Sequence, residues 1–216
     1  MPELPSFGIS KAITRERTDD ASKHQNKIRN FPHEPGNWAT YVYIPIEETF
    51  ELSDYIEELS KALSDFDLKI NNDYHVSLTR TVILKYHWIP DFVKTVQACM
   101  DNVNSFLVSF SGLKVYVNDT KTRIFIGLQV QQGASELSFI TSELDKCLME
   151  YKLPIFYTNP SFHFSILWKV GDFSYEKLNE AVNDLSDRLK NFTFVVKVNH
   201  CECTSGNKHY VFPFKK

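Results

Sequence analysis

The sequence predicts an α+β fold in which the chain passes twice through a similar unit of strands and helices. The chain contains segments with strand-like alternation of apolar residues and amphipathic segments with helical periodicity. They follow each other in the order β-α-β-α-β-β-α-β-α-β-β. This order nearly repeats a strand–helix–strand–helix–strand unit, and such a repeat is typical of two similar lobes. Helices that cover one side of mixed strands indicate the α+β class.

The first repeat begins after a polar, turn-rich segment that starts at Phe31. Its predicted elements, in chain order, are a strand over 39–46, a helix over 50–63, a strand over 74–82, a helix over 89–106 and a strand over 107–117. The helix over 50–63 carries its apolar residues on one stripe, as expected for a helix packed on a sheet. Pro90 and Asp91 mark the start of the second helix, because proline is favoured in the first turn.

The second repeat follows a predicted hairpin turn over 118–121, which contains typical turn residues. Its predicted elements, in chain order, are a strand over 122–131, a helix over 137–151, a strand over 162–170, a helix over 175–189 and strands over 192–203 and 209–214. Residues 1–30 are polar and show little periodicity. They predict a flexible tail ahead of a single two-lobed domain over 31–216.

The charge balance limits how this protein could bind nucleic acid. The chain of 216 residues, 43% of them hydrophobic, has 24 Lys and Arg against 27 Asp and Glu, a net charge of −3. A protein that coats a duplex usually carries a basic excess, so bulk phosphate binding is not expected. A nucleic-acid function must therefore depend on a local site.

The cysteines do not indicate a secreted or metal-binding protein. Four cysteines are too few for a disulfide-built scaffold; they are Cys99, Cys147, Cys201 and Cys203. A C-x-C pair with two nearby histidines, His200 and His209, lacks the second ligand pair of a zinc site, so we interpret Cys201 and Cys203 as strand residues and expect no metal or cofactor. Without a signal segment or an apolar run of about 20 residues, we expect a soluble, intracellular protein with no membrane partner.

Two predicted strands carry the same motif, His-x-Ser, at matching places in the two repeats. The motifs are His75-Val76-Ser77 and His163-Phe164-Ser165. Because strand residues alternate between faces, the His and Ser of each motif should share one face, together with Thr79 in the first strand and Leu167 in the second. If the lobes pack about a pseudo-twofold axis, both motifs face one cleft.

Two histidines that face each other across a phosphate suit one reaction. A neutral imidazole accepts a proton from the attacking hydroxyl and an imidazolium gives one to the leaving oxygen, near neutral pH and without a metal. Serine hydroxyls can donate to the nonbridging oxygens, where charge accumulates. On RNA the neighbouring 2′-OH is the nucleophile and a 2′,3′-cyclic phosphate is the product, so the chemistry selects RNA over DNA. The candidate catalytic residues are His75, Ser77, His163 and Ser165.

Four longer stretches surround these motifs: Phe31-Pro-His-Glu-Pro-Gly-Asn-Trp-Ala-Thr, Tyr74-His-Val-Ser-Leu-Thr-Arg, Lys121-Thr-Arg-Ile-Phe-Ile-Gly-Leu and Phe156-Tyr-Thr-Asn-Pro-Ser-Phe-His-Phe-Ser. With them the sequence, from about Phe31 onward, resembles the 2H phosphoesterase superfamily and, within it, the U6 snRNA phosphodiesterases of the Usb1 type. The resemblance implies a pseudo-twofold fold of antiparallel sheets flanked by helices around a central cleft. It also implies a nuclear 3′–5′ exoribonuclease that trims the oligouridine tail of U6 snRNA and leaves a cyclic phosphate or a 3′-phosphate.

The resemblance further implies roles for the four motif residues. His75 would accept the proton and His163 would donate it, although the residues alone leave the order open. Ser77 and Ser165 match the positions that hold the phosphate. The implied partner is a single-stranded RNA 3′ end, and we expect the protein to act as a monomer.

Residues outside the motifs are implied to bind the nucleotide. Tyr157 matches the family's base-stacking aromatic, and stacking on a single-stranded base is worth about 1–3 kcal/mol. Asn159, Pro160 and Ser161 form the loop that enters the catalytic strand, so they are expected to line the nucleotide pocket. Asp119, in the predicted hairpin turn, falls where the family contacts nucleotide.

Two other functions remain open at the level of sequence. The first is an enzyme of the same fold that acts on small nucleotides, such as a cyclic phosphodiesterase. The second is a non-catalytic pair of lobes that binds and caps an RNA 3′ end. The Phe31–Thr40 stretch and Tyr157 favour RNA over small nucleotides.

Overall fold

A computed structural model describes residues 36–171 and 173–216 of the chain, so the predicted tail at 1–30 lies outside the described residues. The strands are β1 (Asn37–Pro45), β2 (Lys69–Ile70), β3 (His75–Ser77), β4 (Val82–Lys85), β5 (Phe106–Val117), β6 (Arg123–Gln132), β7 (His163–Val170), β8 (Phe194–Val198), β9 (His200–Ser205) and β10 (Lys208–Pro213). The α-helices are α1 (Phe50–Ala62), α2 (Ile89–Met100), α3 (Ala134–Glu150) and α4 (Tyr175–Arg188). The α+β class is confirmed.

The predicted strand over 74–82 is divided into β3 and β4, because the chain turns after Ser77. Thr79 is buried, and its Oγ1 accepts a hydrogen bond from the backbone N of Val42 at 2.9 Å. The backbone N of Leu78 also donates to the Val42 carbonyl, at 2.9 Å. The prediction that Thr79 shares a face with His75 was therefore wrong, since a bond to β1 takes this side chain into the interior.

Two of the other differences from the prediction affect how the chain joins the sheet. The second helix ends at Met100, because the segment after it joins the sheet region: Ser105 N donates to the Lys215 carbonyl at 2.7 Å, and Asn104 forms a parallel bridge with Lys215. The predicted strand over 192–203 is two strands, β8 and β9, which pair with opposite parts of the sheet.

All the strands belong to one sheet, at whose centre β3 pairs with β7. The order is β10-β9-β1-β3-β7-β6-β5-β8, and in addition β4 pairs with β1 and β2 pairs with β7. Every pairing between these strands is antiparallel. Three strands of the main order lie on each side of the β3–β7 pair, so this pair is the junction between the two lobes.

Each lobe contains a strand from the other half of the chain. β5 follows the two helices of the first repeat, but it pairs with β6 of the second repeat. β9, near the end of the second repeat, pairs with β1 of the first. Because these strands cross over, neither repeat completes its part of the sheet alone.

One apolar core unites the buried sides of the strands and the helices. Phe164 of β7 is fully buried near its centre, with its ring centroid 4.8 Å from that of Phe110 and 6.1 Å from that of Phe194. The helices contribute one apolar face each; α1 begins where the Thr49 side chain accepts a hydrogen bond from Leu52 N at 3.3 Å. The opposite face of the central strands is thereby left for polar side chains.

Two residues discussed from the sequence lie in this core. Cys201 and Cys203, interpreted as strand residues, are in β9 with fully buried side chains, and burial raises the pKa of both thiols.

Among residues 36–171 and 173–216, no helix is long and apolar enough to cross a membrane.

Candidate active site

The two His-x-Ser motifs lie side by side at the centre of the sheet. β3 and β7 run antiparallel, with the middle residues of the motifs, Val76 and Phe164, opposite each other. One step along each strand places the histidine of each motif beside the serine of the other, at a cross-strand Cα spacing of about 4.5–5.5 Å. An antiparallel pair has a local two-fold axis, and here it relates one motif to the other. The structure thus brings the four predicted catalytic residues together.

The two faces of these strands differ sharply in burial. Val76 and Phe164 are buried in the core, whereas the histidine and serine side chains are half-buried or exposed on the other face. Leu167 departs from the predicted alternation. The register between β6 and β7 shifts between Ile126 and Gly127, so that Leu167 pairs with Ile126 and both are buried.

Both imidazoles are held in the same way. His75 Nδ1 is 3.2 Å from the carbonyl oxygen of Asp73, and His163 Nδ1 is 2.7 Å from that of Ser161. A carbonyl oxygen can only accept a hydrogen bond, so each Nδ1 carries a proton. In the neutral form Nε2 then has the free electron pair, and Nε2 is the atom that can accept or return a proton.

An aromatic ring stacks on His163. The rings of Tyr116 and His163 are nearly parallel, with an interplanar angle of 10° and centroids 3.5 Å apart. The Tyr116 hydroxyl forms a hydrogen bond of 3.0 Å with Ser161 Oγ. Lys114 lies on the same side of β5, with its Nζ 5.5 Å from the Tyr116 ring centroid.

This environment disfavours a charge on His163. Burial of the imidazole is the largest cause, and the charges of His75 and Lys114 act in the same direction, whereas the hydrogen bond to the Ser161 carbonyl opposes them. Together they lower the pKa of His163 to about 4. His163 is therefore neutral at pH 7 in the free protein, with Nε2 able to accept a proton.

Tyrosine rings also flank His75. The ring centroid of Tyr43 is 5.2 Å from that of His75, and the centroid of Tyr41 is 6.1 Å from it. The Tyr43 hydroxyl is 3.4 Å from Thr204 Oγ1, so this ring is tied to β9. Asp73 Oδ1 is 3.8 Å from His75 Nδ1. Each imidazole of the pair thus has a tyrosine at its side.

Tyr157, the predicted stacking residue, is exposed in the loop between α3 and β7. The Arg80 guanidinium lies 4.8 Å from the Tyr157 ring centroid and forms an ion pair with Asp119. The Tyr157 hydroxyl donates to Asp119 Oδ1 at 3.5 Å, and burial together with this carboxylate raises the pKa of Tyr157. Because Arg80 forms an ion pair with Asp119, the charge of this carboxylate is compensated within the protein.

The other predicted binding residues lie in the same loop. Ser161 contacts two rings of the site. Its carbonyl oxygen accepts a hydrogen bond from His163 Nδ1, and its Oγ forms a hydrogen bond with the Tyr116 hydroxyl. Asn159 is exposed and Pro160 is half-buried. Both residues lie in the stretch of chain between Tyr157 and the start of β7.

Sequence reasoning missed Tyr116, Gly127 and Arg80. Gly127 offered a usable signal, because an isolated glycine inside a strand often marks a close approach of other atoms. Arg80 ends one of the stretches that carried the family resemblance, but no role was assigned to it. The pattern of β5 places Tyr116 on a half-exposed face, yet nothing in that pattern shows that this ring would reach His163.

Comparison with known sequences points to one family. A family model named HVSL, described as an uncharacterised conserved protein, matches residues 2–213. U6 snRNA phosphodiesterase 1 of Xenopus laevis is 38% identical over 206 residues, which cover 92% of this chain and 82% of the frog protein. The protein of the same name from Mus musculus is 37% identical over 204 residues, covering 91% of this chain and 76% of the mouse protein.

Comparison with solved structures supports the fold. Usb1 of Kluyveromyces marxianus superposes with a TM-score of 0.65 and 14% sequence identity, over 83% of this chain and 98% of that protein. The structure of the same Usb1 with uridine monophosphate superposes with a TM-score of 0.61 over 83% of this chain and 99% of that protein. At this identity the likeness establishes the shared fold, which confirms the predicted α+β architecture of antiparallel strands flanked by helices.

We expect the His163 imidazole to remain neutral at pH 7 and to titrate near pH 4 in the free protein, because burial disfavours its charged form. A Lys114→Met substitution removes a nearby positive charge and should raise the pKa of His163. NMR titration of the imidazole resonances measures both effects. Lys94→Met, at an exposed lysine of α2, is the matched control and should not move the midpoint. A wild-type midpoint at the unperturbed value of about 6.5 would contradict this prediction.

Proposed function

Because the chain belongs to the U6 snRNA phosphodiesterase 1 family, we propose that it is a phosphodiesterase that trims the 3′ end of U6 snRNA as a 3′–5′ exoribonuclease. The observation that carries this proposal is the cross-strand pairing of two His-x-Ser motifs on the polar face of the sheet. The phosphodiesterase function of the named relatives fits the acid–base chemistry that the two histidines allow. Since trimming of this RNA belongs to the nucleus, the proposed site of action is nuclear.

The proposed reaction is a transesterification at the last phosphodiester of the RNA. The 2′-OH of the penultimate nucleotide attacks its own 3′-phosphorus, and one histidine accepts the 2′-OH proton at Nε2. The bond from phosphorus to the 5′-oxygen of the terminal nucleotide breaks, and the other histidine donates a proton to that oxygen. The products are an RNA ending in a 2′,3′-cyclic phosphate and a free nucleoside. Opening of the cyclic phosphate to a 3′-phosphate would need a later attack by water.

The serines are assigned to the phosphate. Ser77 and Ser165 lie on the same face as the histidines, each next to the histidine of the other motif. In this position their hydroxyls can donate to the two nonbridging oxygens, on which negative charge grows in the transition state. The proposed reaction uses no metal and no cofactor, because the imidazoles move the protons and the hydroxyls hold the charge.

The order of proton transfer has an electrostatic consequence. The family resemblance assigns acceptance of the proton to His75 and donation to His163. Because the pKa of His163 is about 4 in the free protein, it is mostly neutral at pH 7 and must gain its proton when the substrate binds. A phosphodiester anion next to the imidazole favours the charged form and raises its pKa. In the reverse order His163 would accept the proton, and its neutral form would already be suited to that role.

Tyr157 is proposed to hold the base at the RNA end. Its ring is exposed in the loop that leads into β7, and stacking on an aromatic ring is the usual way in which single-stranded RNA is held. Arg80, 4.8 Å from the Tyr157 ring centroid, adds a planar cation that can also stack on a base or contact a phosphate. Asn159, Pro160 and Ser161 complete the proposed nucleotide pocket on the same loop. We propose that a monomer suffices, since every residue used comes from one chain.

We expect the wild-type protein to shorten a 5′-labelled oligouridine from its free 3′ end, and His75→Ala or His163→Ala to reduce the rate by at least about 10³-fold, because each histidine supplies general acid or base catalysis. Gel electrophoresis measures shortening, and mass spectrometry identifies the new 3′ end. His87→Ala, at an exposed histidine outside the motifs, is the matched control.

The same assay separates the other candidate functions. An oligonucleotide with a 2′-deoxy sugar at the penultimate position should resist cleavage, and EDTA should leave the rate unchanged. Binding without shortening would favour the capping protein, and turnover of small cyclic nucleotides alone would favour the small-substrate enzyme. Full activity of either alanine variant would contradict the mechanism.

A substrate with a sulfur leaving group should identify the acid. In a 5′-phosphorothiolate linkage the departing thiolate needs no proton, so the variant that lacks the general acid should regain most of its rate. We expect His163→Ala to be rescued by at least about tenfold on this substrate and His75→Ala to stay inactive. Comparison of cleavage rates for the sulfur and oxygen substrates gives the result. Rescue of His75→Ala instead would reverse the assigned order.

We expect Tyr157→Ala to raise KM for oligouridine by roughly tenfold or more with a smaller effect on kcat, because it removes a stacking contact worth about 1–3 kcal/mol. Tyr157→Phe keeps the ring and loses only the hydroxyl near Asp119, so its KM should stay close to that of the wild type. Steady-state kinetics with a defined oligonucleotide measure both. An unchanged KM in Tyr157→Ala would remove this residue from the binding site.

A further inference from the structure

Among residues 36–171 and 173–216, Tyr116 makes the shortest ring contact with either motif histidine, yet it has no role in the proposed reaction. It comes from β5, two strands away from β7 in the sheet. Its ring covers His163 at a centroid distance of 3.5 Å and an angle of 10°. Such a close parallel contact leaves the imidazole little freedom to turn on that side.

A glycine lies beneath this stack. In the register of the sheet, Gly127 of β6 lies between Lys114 of β5 and Ser165 of β7. A Cβ atom at Gly127 would be 2.9 Å from His163 Cδ2 and 3.2 Å from Tyr116 Cε2. It would also be 3.0 Å from the Phe164 backbone oxygen, which cannot move away freely. The absence of a side chain at Gly127 therefore makes room for both rings.

The two rings are also joined at one residue. The Ser161 carbonyl binds His163 Nδ1 at 2.7 Å, and Ser161 Oγ binds the Tyr116 hydroxyl at 3.0 Å. His163 is thus fixed by a hydrogen bond at Nδ1 and by an aromatic ring on its face. The atom left toward the site is Nε2. These contacts define the direction of Nε2 more tightly than a single hydrogen bond could.

We propose that Tyr116 is a positioning residue of the active site, which together with Gly127 holds the His163 imidazole at the angle required for proton transfer. This inference rests on the proposed function, because it assigns Tyr116 to the reaction of the His-x-Ser pair. Tyr116 acts through His163 and not on the substrate. Misplacement of a catalytic group by about 1 Å can reduce a rate by about 10²-fold, so loss of the stack should appear in kcat.

The test compares three substitutions in the full chain with a 5′-labelled oligouridine as substrate. Tyr116→Leu removes the ring and should lower kcat by about 10²-fold with KM within about threefold of the wild type. Tyr116→Phe keeps the ring and loses only the bond to Ser161, so its kcat should lie within about threefold of the wild type. Gly127→Ala should displace the imidazole and lower kcat as Tyr116→Leu does. Tyr175→Leu, at an exposed tyrosine that begins α4, is the matched control.

A spectroscopic measurement separates positioning from general damage. The ring current of Tyr116 should shift the His163 imidazole protons in NMR spectra, and this shift should persist in Tyr116→Phe and disappear in Tyr116→Leu. Thermal unfolding of each variant shows whether the fold is kept. If Tyr116→Leu is unfolded, the kcat values of Gly127→Ala and Tyr116→Phe are compared instead. A low kcat in Gly127→Ala alone then supports the inference, and equal kcat values overturn it.

Each outcome either supports the inference or overturns it. Unchanged kcat in a folded Tyr116→Leu variant would overturn it, and so would an equal loss in Tyr116→Phe, which would assign the effect to the hydroxyl. A rise in KM without a fall in kcat would make Tyr116 a substrate contact instead. A wild-type chain that fails to shorten the oligonucleotide would contradict the proposed function itself, whereas an active wild type beside an unimpaired Tyr116→Leu contradicts only the role of Tyr116.

Discussion

The antiparallel pairing of β3 with β7 is the interaction on which the candidate active site depends. Val76 lies opposite Phe164, so both histidines and both serines fall on the other face, in register. A slip by one residue would turn all of these side chains into the core and bring apolar ones out. The register is held mainly by packing: Phe164 is fully buried against two other phenylalanine rings, and truncating such a residue costs about 3–5 kcal/mol, against about 1 kcal/mol for one hydrogen bond.

The exchange of strands between the lobes strengthens this junction. If each lobe were closed on itself, the three residues of β3 would have to hold two independent units together. Instead β5 continues the chain of the first repeat into the second lobe, and β9 returns from the second repeat to the first. The distance between the two imidazoles is therefore set by one continuous sheet. Catalysis by a matched acid and base requires this, because both groups must stay in place relative to one phosphate.

The sequence was sufficient to predict that the two His-x-Ser motifs lie together on one face, but not which other side chains surround them. Alternation located the central strands, and the repeated His-x-Ser motif identified the four central residues. The structure differs from the predicted alternation where distant parts of the chain make contact. Thr79 turns inward because its hydroxyl meets the backbone of Val42, and the register shift beside Gly127 carries Leu167 into the core. The stack of Tyr116 on His163 joins residues from strands that are two places apart in the sheet, and the low pKa of His163 follows from its burial. Neither contact nor burial of this kind can be deduced from the spacing of residues along the chain.

The negative net charge argues against bulk phosphate binding, but it is compatible with the proposed reaction at a single phosphate. Overall charge governs the long-range field, whereas proton transfer at one phosphate depends on groups within a few ångströms, where screening is weak. In the proposed order His163 must become protonated when RNA binds, and the charge that favours this is that of the phosphodiester. Each fixed cation at the site acts the other way, as Lys114 does by lowering the pKa of His163. A strongly basic cleft would hold RNA more tightly but would oppose the protonation of its own acid. A site with few cations, one of which, Arg80, is already paired with Asp119, leaves the substrate to supply the charge that completes the acid–base pair.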